Sequence, residues 1–167
     1  MRMKLWKKIL IGLGLTVVVA MLLINPKRTN PPVAPGRDLL ASNTPPAEIV
    51  TILRNACYDC HSHETKWPWY SRVAPVSWWV VDHVNHGREE LNFSEWPHDD
   101  PKRAARRLRS MGDVVMEGEM PLSSYVKGHP EALLSDQQRD AFSRWAEAEA
   151  ARMLAILEAA AIREREQ

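Results

Sequence analysis

The longest hydrophobic stretch of the chain lies near its N-terminus. Residues 9–24 carry no charge, and counted from Leu5 the segment approaches the ~20 residues that a helix needs to cross a bilayer. The stretch ends in bulky residues rather than in a small-residue cleavage site, which favours a retained anchor over a cleaved signal peptide. Four basic residues precede the stretch and only Lys27 and Arg28 follow it closely. The positive-inside rule therefore predicts a cytoplasmic N-terminus and export of everything after Asn25.

Prolines dominate the next segment, and six of them lie between residues 25 and 46. Because proline excludes regular helix and strand, we expect a semi-extended tether here. The expected organisation is an anchor over 1–25, a proline-rich linker over 26–44, and one domain over 45–167 that ends in an extended helix. A domain of this size can bury a core of its own.

Beyond the linker, apolar residues recur at the spacing of amphipathic helices. The first helix is expected to start near Pro46, with an acid in its first turn, and to lead into Cys57. Further helices are predicted over 76–85, over about 100–116, and from 135 onwards. Gly87 is expected to follow the end of the second helix, and Ser135 to begin the last in a capping box with Gln138. The expected inward stripes are Ala104, Leu108, Met111 and Val115, then Phe142, Trp145 and Ala148. No segment alternates as strands do, so the expected fold class is all-α.

Composition excludes two classes of protein. Lys plus Arg number 22 and Asp plus Glu number 21, so the chain lacks the basic excess of a nucleic-acid-binding protein. It contains only two cysteines, three positions apart, which is too few for a secreted disulfide scaffold. The cysteine pair therefore needs a local explanation.

The two cysteines belong to the motif Cys57-Tyr58-Asp59-Cys60-His61. Two thiols at this spacing can form thioethers with the vinyl groups of a porphyrin, and the histidine that follows can bind the iron. A zinc site that adds His61 or His63 is an alternative, although a structural zinc site normally has a second ligand pair. A thioredoxin-like site would follow a strand, and none is predicted. A short disulfide or two inert thiols remain a further alternative. The export signal, the preceding helix and the tryptophans nearby favour haem.

A longer pattern surrounds this motif. It comprises Thr65-Lys66-Trp67-Pro68-Trp69-Tyr70, Ala74-Pro75-Val76-Ser77-Trp78, His83-Val84, Gly87-Arg88, Leu91-Asn92-Phe93-Ser94, Trp96, Met120-Pro121 and Trp145. With these residues the chain resembles, over roughly 40–150, bacterial membrane-anchored haem-binding domain proteins of the cytochrome c-like kind. The resemblance implies a cytochrome c-like helical domain around one haem c, attached covalently through Cys57 and Cys60. It also implies electron transfer.

The axial ligand across from His61 decides the chemistry of such a haem. Met120 is the leading candidate, because it lies in a polar loop before the last helix and Pro121 stiffens the backbone beside it. The alternative for an isolated methionine is core packing. His83 is the first rival ligand, and an iron without a sixth protein ligand is the remaining possibility. Further histidine rivals are His86 and His63.

Other residues are candidates for contact with the haem. Arg72 and Arg88 can pair with its propionates, because a guanidinium matches a carboxylate, or they are ordinary surface arginines. Trp67, Tyr70 and Trp78 can form the wall of the haem crevice or belong to the core. Trp69 and Trp79 are further candidates for that wall. The basic run of the helix near 100–116 is either a solvated face or a surface for an acidic partner or anionic lipid.

The function predicted from the sequence is that of a membrane-tethered monohaem c-type cytochrome. It is expected to be an electron carrier and not an enzyme, anchored by a single pass in the bacterial cytoplasmic membrane with its domain in the periplasm. The sequence does not identify its redox partner. A haem-based sensor or peroxidase-like protein with an open distal site, and a non-haem subunit of a membrane complex, are the alternatives.

Overall fold

A computed structural model describes residues 2–166, and in this range the chain forms helices and loops without a strand. The helices are α1 (Arg2–Leu23), α2 (Leu39–Asn43), α3 (Ala47–Ala56), α4 (Tyr58–His61), α5 (Val76–Glu90), α6 (Pro101–Met116), α7 (Ser123–Val126) and α8 (Asp136–Arg165). Three short 3₁₀ helices cover Trp69–Arg72, Phe93–Glu95 and Pro130–Ala132. The all-α prediction is confirmed.

The core forms where α6 and α8 pack along each other, more extensively than any other pair of helices. The stripe predicted on α6 is buried, with Leu108 fully inaccessible, and Phe142 and Ala146 of α8 are equally inaccessible. The capping box at Ser135 is present, with the Ser135 hydroxyl accepting from the Gln138 backbone N–H. The inward position predicted for Ala148 is wrong, since Ala148 is exposed. Its neighbours Ala146 and Ala150 occupy the buried face of α8 instead.

Helix α1 is long and apolar enough to cross a membrane, and its span Lys4–Leu23 is not buried against the rest of the protein. The helix thus agrees with the predicted N-terminal apolar segment.

The linker contains one helix that the proline count did not predict. Asp38 caps α2 by accepting a hydrogen bond from the Leu40 backbone N–H at 2.9 Å, and Leu39 is fully buried in the core. Asp38 also accepts from the Tyr58 hydroxyl at 2.8 Å. The expectation of no regular structure is therefore wrong over Leu39–Asn43, because a capping side chain and a buried leucine stabilise a short helix between the prolines. The boundaries at 44 and 45 stay a prediction.

The linker upstream of α2 lies against the domain. The Trp78 indole donates to the Ile24 carbonyl at 2.6 Å, and Arg28 donates to the Ser71 carbonyl at 2.9 Å. Asn30 donates to the Thr65 carbonyl at 2.9 Å. These bonds begin one residue after α1 ends, so the linker is fastened to the domain along much of its length.

Helix α5 continues past the residue that was expected to stop it. Gly87 lies inside α5, which runs to Glu90, and the predicted end of this helix is wrong. A Cβ atom at position 87 would lie 2.9 Å from the Cys60 carbonyl oxygen, closer than real Cβ contacts allow. Gly87 therefore permits the close approach of α5 to α4. The absence of a side chain is needed for this contact, and not for ending the helix.

A buried carboxylate joins α2 to α8. Glu149 accepts hydrogen bonds from the Asn43 amide and the Arg152 guanidinium, each at 2.8 Å, and its side chain is only 10% exposed. The Arg152 guanidinium is the main cause that holds the pKa of Glu149 below its ordinary value of 4.5, and Asn43 adds to the effect. The charged form of Glu149 is thus the form that the folded domain favours.

Glu149→Gln is expected to destabilise the domain by about 1 kcal/mol near neutral pH, since Arg152 is half exposed and the pair is partly screened. A carboxyl with a depressed folded pKa contributes fully above its unfolded pKa, and the contribution is lost as pH falls through the folded pKa. The difference between variant and wild type should therefore shrink below pH 4.5. Urea unfolding in detergent at several pH values measures this difference in the free energy of unfolding. Glu147→Gln is the control. Glu147 lies on α8 like Glu149, but it is exposed and pairs with Arg109 of α6, so a smaller loss of stability is expected. If Glu149→Gln lowered the stability by the same amount at every pH, the stabilising role of the charged Glu149 carboxylate would be contradicted.

Candidate haem site

A cavity of about 300 Å³ lies between two groups of helices. One wall comes from α3, α4 and α5, and the other from α6, α8 and the loop that follows α6. The lining is mainly apolar and includes Phe93, Met111, Val115 and Phe142. Cys57, Cys60, His61 and Met120 also line it, so the predicted attachment and axial residues meet at one cavity.

The motif faces this cavity because Tyr58 is buried in the core. Helix α3 ends at Ala56, Cys57 is its C-cap, and the short helix α4 follows. The Tyr58 ring packs on Phe93 with centroids 5.1 Å apart, while its hydroxyl donates to Asp38. Tyr58 thus anchors the motif in the core, and Cys57, Cys60 and His61 line the cavity.

Backbone carbonyls orient the His61 ring. Nδ1 of His61 is 2.8 Å from the Gly87 carbonyl oxygen and 3.1 Å from that of Leu91. Carbonyl oxygens only accept, so Nδ1 is the protonated nitrogen and Nε2 keeps its lone pair. Burial is the main cause that lowers the pKa of His61, which favours the neutral ring. A neutral imidazole with one nitrogen held by a carbonyl is the state that binds a metal through the other nitrogen.

The two thiols are protonated in this environment. Burial raises the pKa of Cys57 to about 12, with a smaller contribution from Cys60. Burial, then the Asp59 carboxylate, raises the pKa of Cys60 to about 11. Both cysteines are free thiols. A thioredoxin-like nucleophile needs a stabilised thiolate, so these surroundings weigh against that alternative. Residues 2–166 likewise bring together no group of three or more His, Cys, Asp and Glu side chains that could hold a metal ion.

Met120 is presented by a loop whose backbone is hydrogen-bonded on both sides. Its N–H donates to the Val114 carbonyl at 3.1 Å, and its carbonyl accepts from Arg139 at 3.2 Å. Arg139 also donates to the Val115 carbonyl at 2.7 Å. The side chain of Met120 is half-buried and packs against the core cluster. Met120 therefore lines the cavity from the wall that does not carry His61.

The rival histidines differ from Met120 in position. His83 lines the cavity too, but from α5, the helix whose Gly87 carbonyl already holds His61. Its Nδ1 is 2.9 Å from the Trp79 carbonyl oxygen, and its ring packs on the Trp79 ring. His86 is on the same wall and is exposed. The Nε2 atom of His63 is 2.8 Å from the Asn92 amide, and His63 does not line the cavity.

Several residues predicted to contact haem lie outside this cavity. Arg88 donates to the carbonyls of Ser62 and Thr29 and to the side chains of Asn30 and Thr65, so its guanidinium joins the linker to the loop after the motif. Arg88 is thus not available as the propionate partner that the sequence suggested. The Trp67 indole also donates to Asn30 of the linker, and the Trp78 indole donates to Ile24, the residue that follows α1. Arg72 and Trp69 are exposed and do not line the cavity either.

A second cavity of about 170 Å³ adjoins the first, and residues such as Cys60 and His83 line both. Its wall carries Tyr70 and Trp79, two of the five aromatic residues predicted for the haem crevice, whereas Trp67, Trp69 and Trp78 line neither of the two cavities. The Tyr70 hydroxyl is 2.9 Å from Nε2 of His129, whose ring stacks on Tyr125 at 4.1 Å. The Tyr125 hydroxyl donates to Asp59 at 2.9 Å. Sequence reasoning missed Tyr125 and His129, which lie in short helices and loops without a periodic pattern.

The donor set, the apolar cavity and the oriented imidazole together fit a haem. The model of one family, described as a haem-binding domain, matches residues 16–148. The chain belongs to the haem-binding domain family. The match runs from inside α1 to the middle of α8, so this haem-binding domain includes the motif, α5 and the Met120 loop. No curated protein and no solved structure matches the chain.

Proposed function

We propose that this haem-binding domain is a membrane-tethered monohaem c-type cytochrome that carries single electrons on the periplasmic side of a bacterial cytoplasmic membrane. The observation that carries the proposal is the orientation of His61, whose Nδ1 is held by the Gly87 and Leu91 carbonyls in a cavity that both thiols line. A porphyrin held there would find its attachment residues and one axial ligand already in place.

Cys57 and Cys60 would attach the porphyrin. Each would hold it by a thioether, the product of adding the thiol S–H across one vinyl group, with sulfur on one vinyl carbon and hydrogen on the other. The addition needs no oxidant, and protonated thiols supply the hydrogen. The raised pKa of each thiol, caused mainly by burial, is consistent with this role.

His61 and Met120 would be the axial ligands. They reach the cavity from its two walls, whereas His83 shares the wall of His61. When bound, the haem supplies a metal that changes between ferric and ferrous by one electron. As a ligand, the thioether of Met120 would favour the ferrous form and raise the reduction potential, while a second histidine would lower it. Buried apolar neighbours such as Phe93 and Phe142 exclude water from the site.

The hydroxyls of Tyr70 and Tyr125 and the His129 imidazole offer polar contacts beside the main cavity. The membrane part of the proposal rests on α1 and on the basic residues that precede its apolar stretch.

Met120→Ala tests the electron-transfer proposal. In the full-length protein matured with haem, the wild type should titrate as a single one-electron couple and should not bind carbon monoxide in the ferrous state. The variant should lose its sixth ligand, bind carbon monoxide, and show a potential lower by at least about 0.1 V, within the ~0.8 V that axial ligands span. Redox titration and the reduced-minus-oxidised spectrum measure both effects.

Met116→Ala, at an exposed methionine near the end of α6, is the matched control and should behave as wild type. If carbon monoxide shifts the spectrum of the wild type, the iron has an open or labile position, and a sensor or peroxidase-like function replaces electron transfer. An unchanged potential in Met120→Ala would remove this residue as a ligand.

A further inference from the structure

An exposed apolar patch lies at the end of the domain closest to α1. It consists of Trp69, Val73, Val76 and Trp79, contributed by the 3₁₀ helix Trp69–Arg72, the residue that follows it, and the first turns of α5. Trp69 is 77% and Trp79 is 47% exposed, although large aromatic side chains are usually buried in a domain of this size. Scattered apolar residues need no explanation, but four within residues 69–79, on the 3₁₀ helix, on the residue that follows it and on the adjoining α5, form a patch of the kind that marks an interaction site.

The structure places this patch beside the exit of α1. The Trp78 indole donates to the carbonyl of Ile24, the first residue after α1, and Trp78 lies between the patch residues Val76 and Trp79. Arg28 donates to the Ser71 carbonyl, which fastens the linker to the same 3₁₀ helix that carries Trp69. If α1 crosses a bilayer, its last residues reach the headgroup region, and the patch reaches the same depth.

We propose that this patch, Trp69, Val73, Val76 and Trp79, docks on the lipid–water interface of the membrane that α1 crosses. Tryptophan is the side chain most suited to that layer, because its ring is apolar and its indole N–H can still donate to a headgroup. The inference rests on the anchoring part of the proposed function.

Charge around the patch also fits a lipid surface. Arg72 lies within the patch and Lys27 beside the Ile24 contact, and both are exposed cations. Cations next to an apolar surface suit an interface that contains anionic lipid. The nearest acid along α5 is Asp82, which lines the haem cavity and is absent from the patch.

Docking here would determine where the haem cavity lies. The cavity residues Asp82, His83 and His86 follow Trp79 on α5, and a helix rises 1.5 Å per residue, so the opening begins about 5 Å beyond the patch along α5. The haem edge would be held close to the bilayer surface, within reach of a redox partner that lies in the same membrane.

Site-directed spin labelling of the haem-loaded full-length chain, kept ferric because oxygen is one of the collision probes, tests the inference in nanodiscs of equimolar phosphatidylcholine and phosphatidylglycerol. Thioether-bound Cys57 and Cys60 take no label, so the unaltered chain is the blank. Val76→Cys reports on the patch and keeps both tryptophans, and Trp69→Cys is the second patch position. Leu13→Cys in the middle of α1 and Ser110→Cys on the exposed side of α6 are the references. Power saturation compares collisions with oxygen, which enters lipid, and with a nickel chelate, which stays in water.

The oxygen-to-nickel ratio at positions 69 and 76 is expected to lie clearly above that at 110 and to approach that at 13. Adding Trp69→Ser and Trp79→Ser to the Val76→Cys chain should lower the ratio at 76 toward the value at 110. Ratios at 69 and 76 equal to that at 110, with 13 in lipid, would overturn the docking alone and leave the patch to a protein partner. A water-like ratio at 13 would overturn the anchor and the docking together.

Discussion

The double variant Cys57→Ser/Cys60→Ser is expected to carry no haem after denaturation, whereas the wild type keeps one haem per chain. The chain has no other cysteine, so no thiol can replace these two. A haem held only by axial bonds leaves the protein when the fold is lost, while a thioether survives. Peroxidase staining of a denaturing gel and the pyridine haemochrome spectrum measure the effect.

The single variants Cys57→Ser and Cys60→Ser sharpen this expectation. Each should keep one thioether and a shifted haemochrome band, because one vinyl group remains free. Haem that stays with the denatured double variant would contradict covalent attachment at the motif. A wild type that never acquires haem, despite co-expression with a maturation system for exported c-type cytochromes, would remove the proposed function altogether.

Gly87→Ala is expected to destabilise the haem-loaded domain by about 1–3 kcal/mol, although alanine is the better helix former. A Cβ at this position would lie 2.9 Å from the Cys60 carbonyl oxygen and 3.3 Å from the Cys60 carbonyl carbon. These are backbone atoms of the motif, so they cannot rotate away as a side chain can. Moving α5 outward would also separate its Gly87 carbonyl from Nδ1 of His61, since both contacts involve the same residue.

Gly112→Ala on α6 is the matched control. Its Cβ would first meet the Ser143 hydroxyl at 3.3 Å, the end of a side chain that can turn aside. This control should keep the wild-type spectrum and lose little stability. Thermal unfolding followed at the Soret band, together with the haem content of the purified protein, compares the two variants. Equal stability of Gly87→Ala and Gly112→Ala would show that the close approach of α5 is unimportant.

Sequence alone predicted the helices whose signals are local. The capping box of α8 and the apolar stripe of α6 both follow from residue spacing, and both are present. Gly87 was misjudged because a glycine near a helix end and a glycine at a helix crossing look alike in one dimension. Only the neighbouring backbone at Cys60 tells them apart.

The candidate site divides in the same way. Cys57, Cys60 and His61 were predicted because they are contiguous in the chain, and Met120 because it stands out in a polar loop; all four line the cavity. Arg72 and Arg88, which were predicted to pair with propionates, do not line the cavity. Arg88 instead donates to linker residues such as Asn30, which is 58 residues away in the chain. Contacts between distant segments leave no periodic trace, and Tyr125 and His129 were missed for that reason.

The fastened linker has a consequence for how electrons reach this protein. If residues 24–38 were a flexible chain, the domain could move roughly 20 Å from the end of the anchor and could meet partners in many orientations. The bonds from Ile24, Arg28 and Asn30 to the domain remove most of that freedom. On the proposed function, encounters with a membrane-bound partner then depend on two-dimensional diffusion of the whole molecule in the bilayer. The rate of electron exchange should accordingly follow lipid viscosity and the surface density of both proteins.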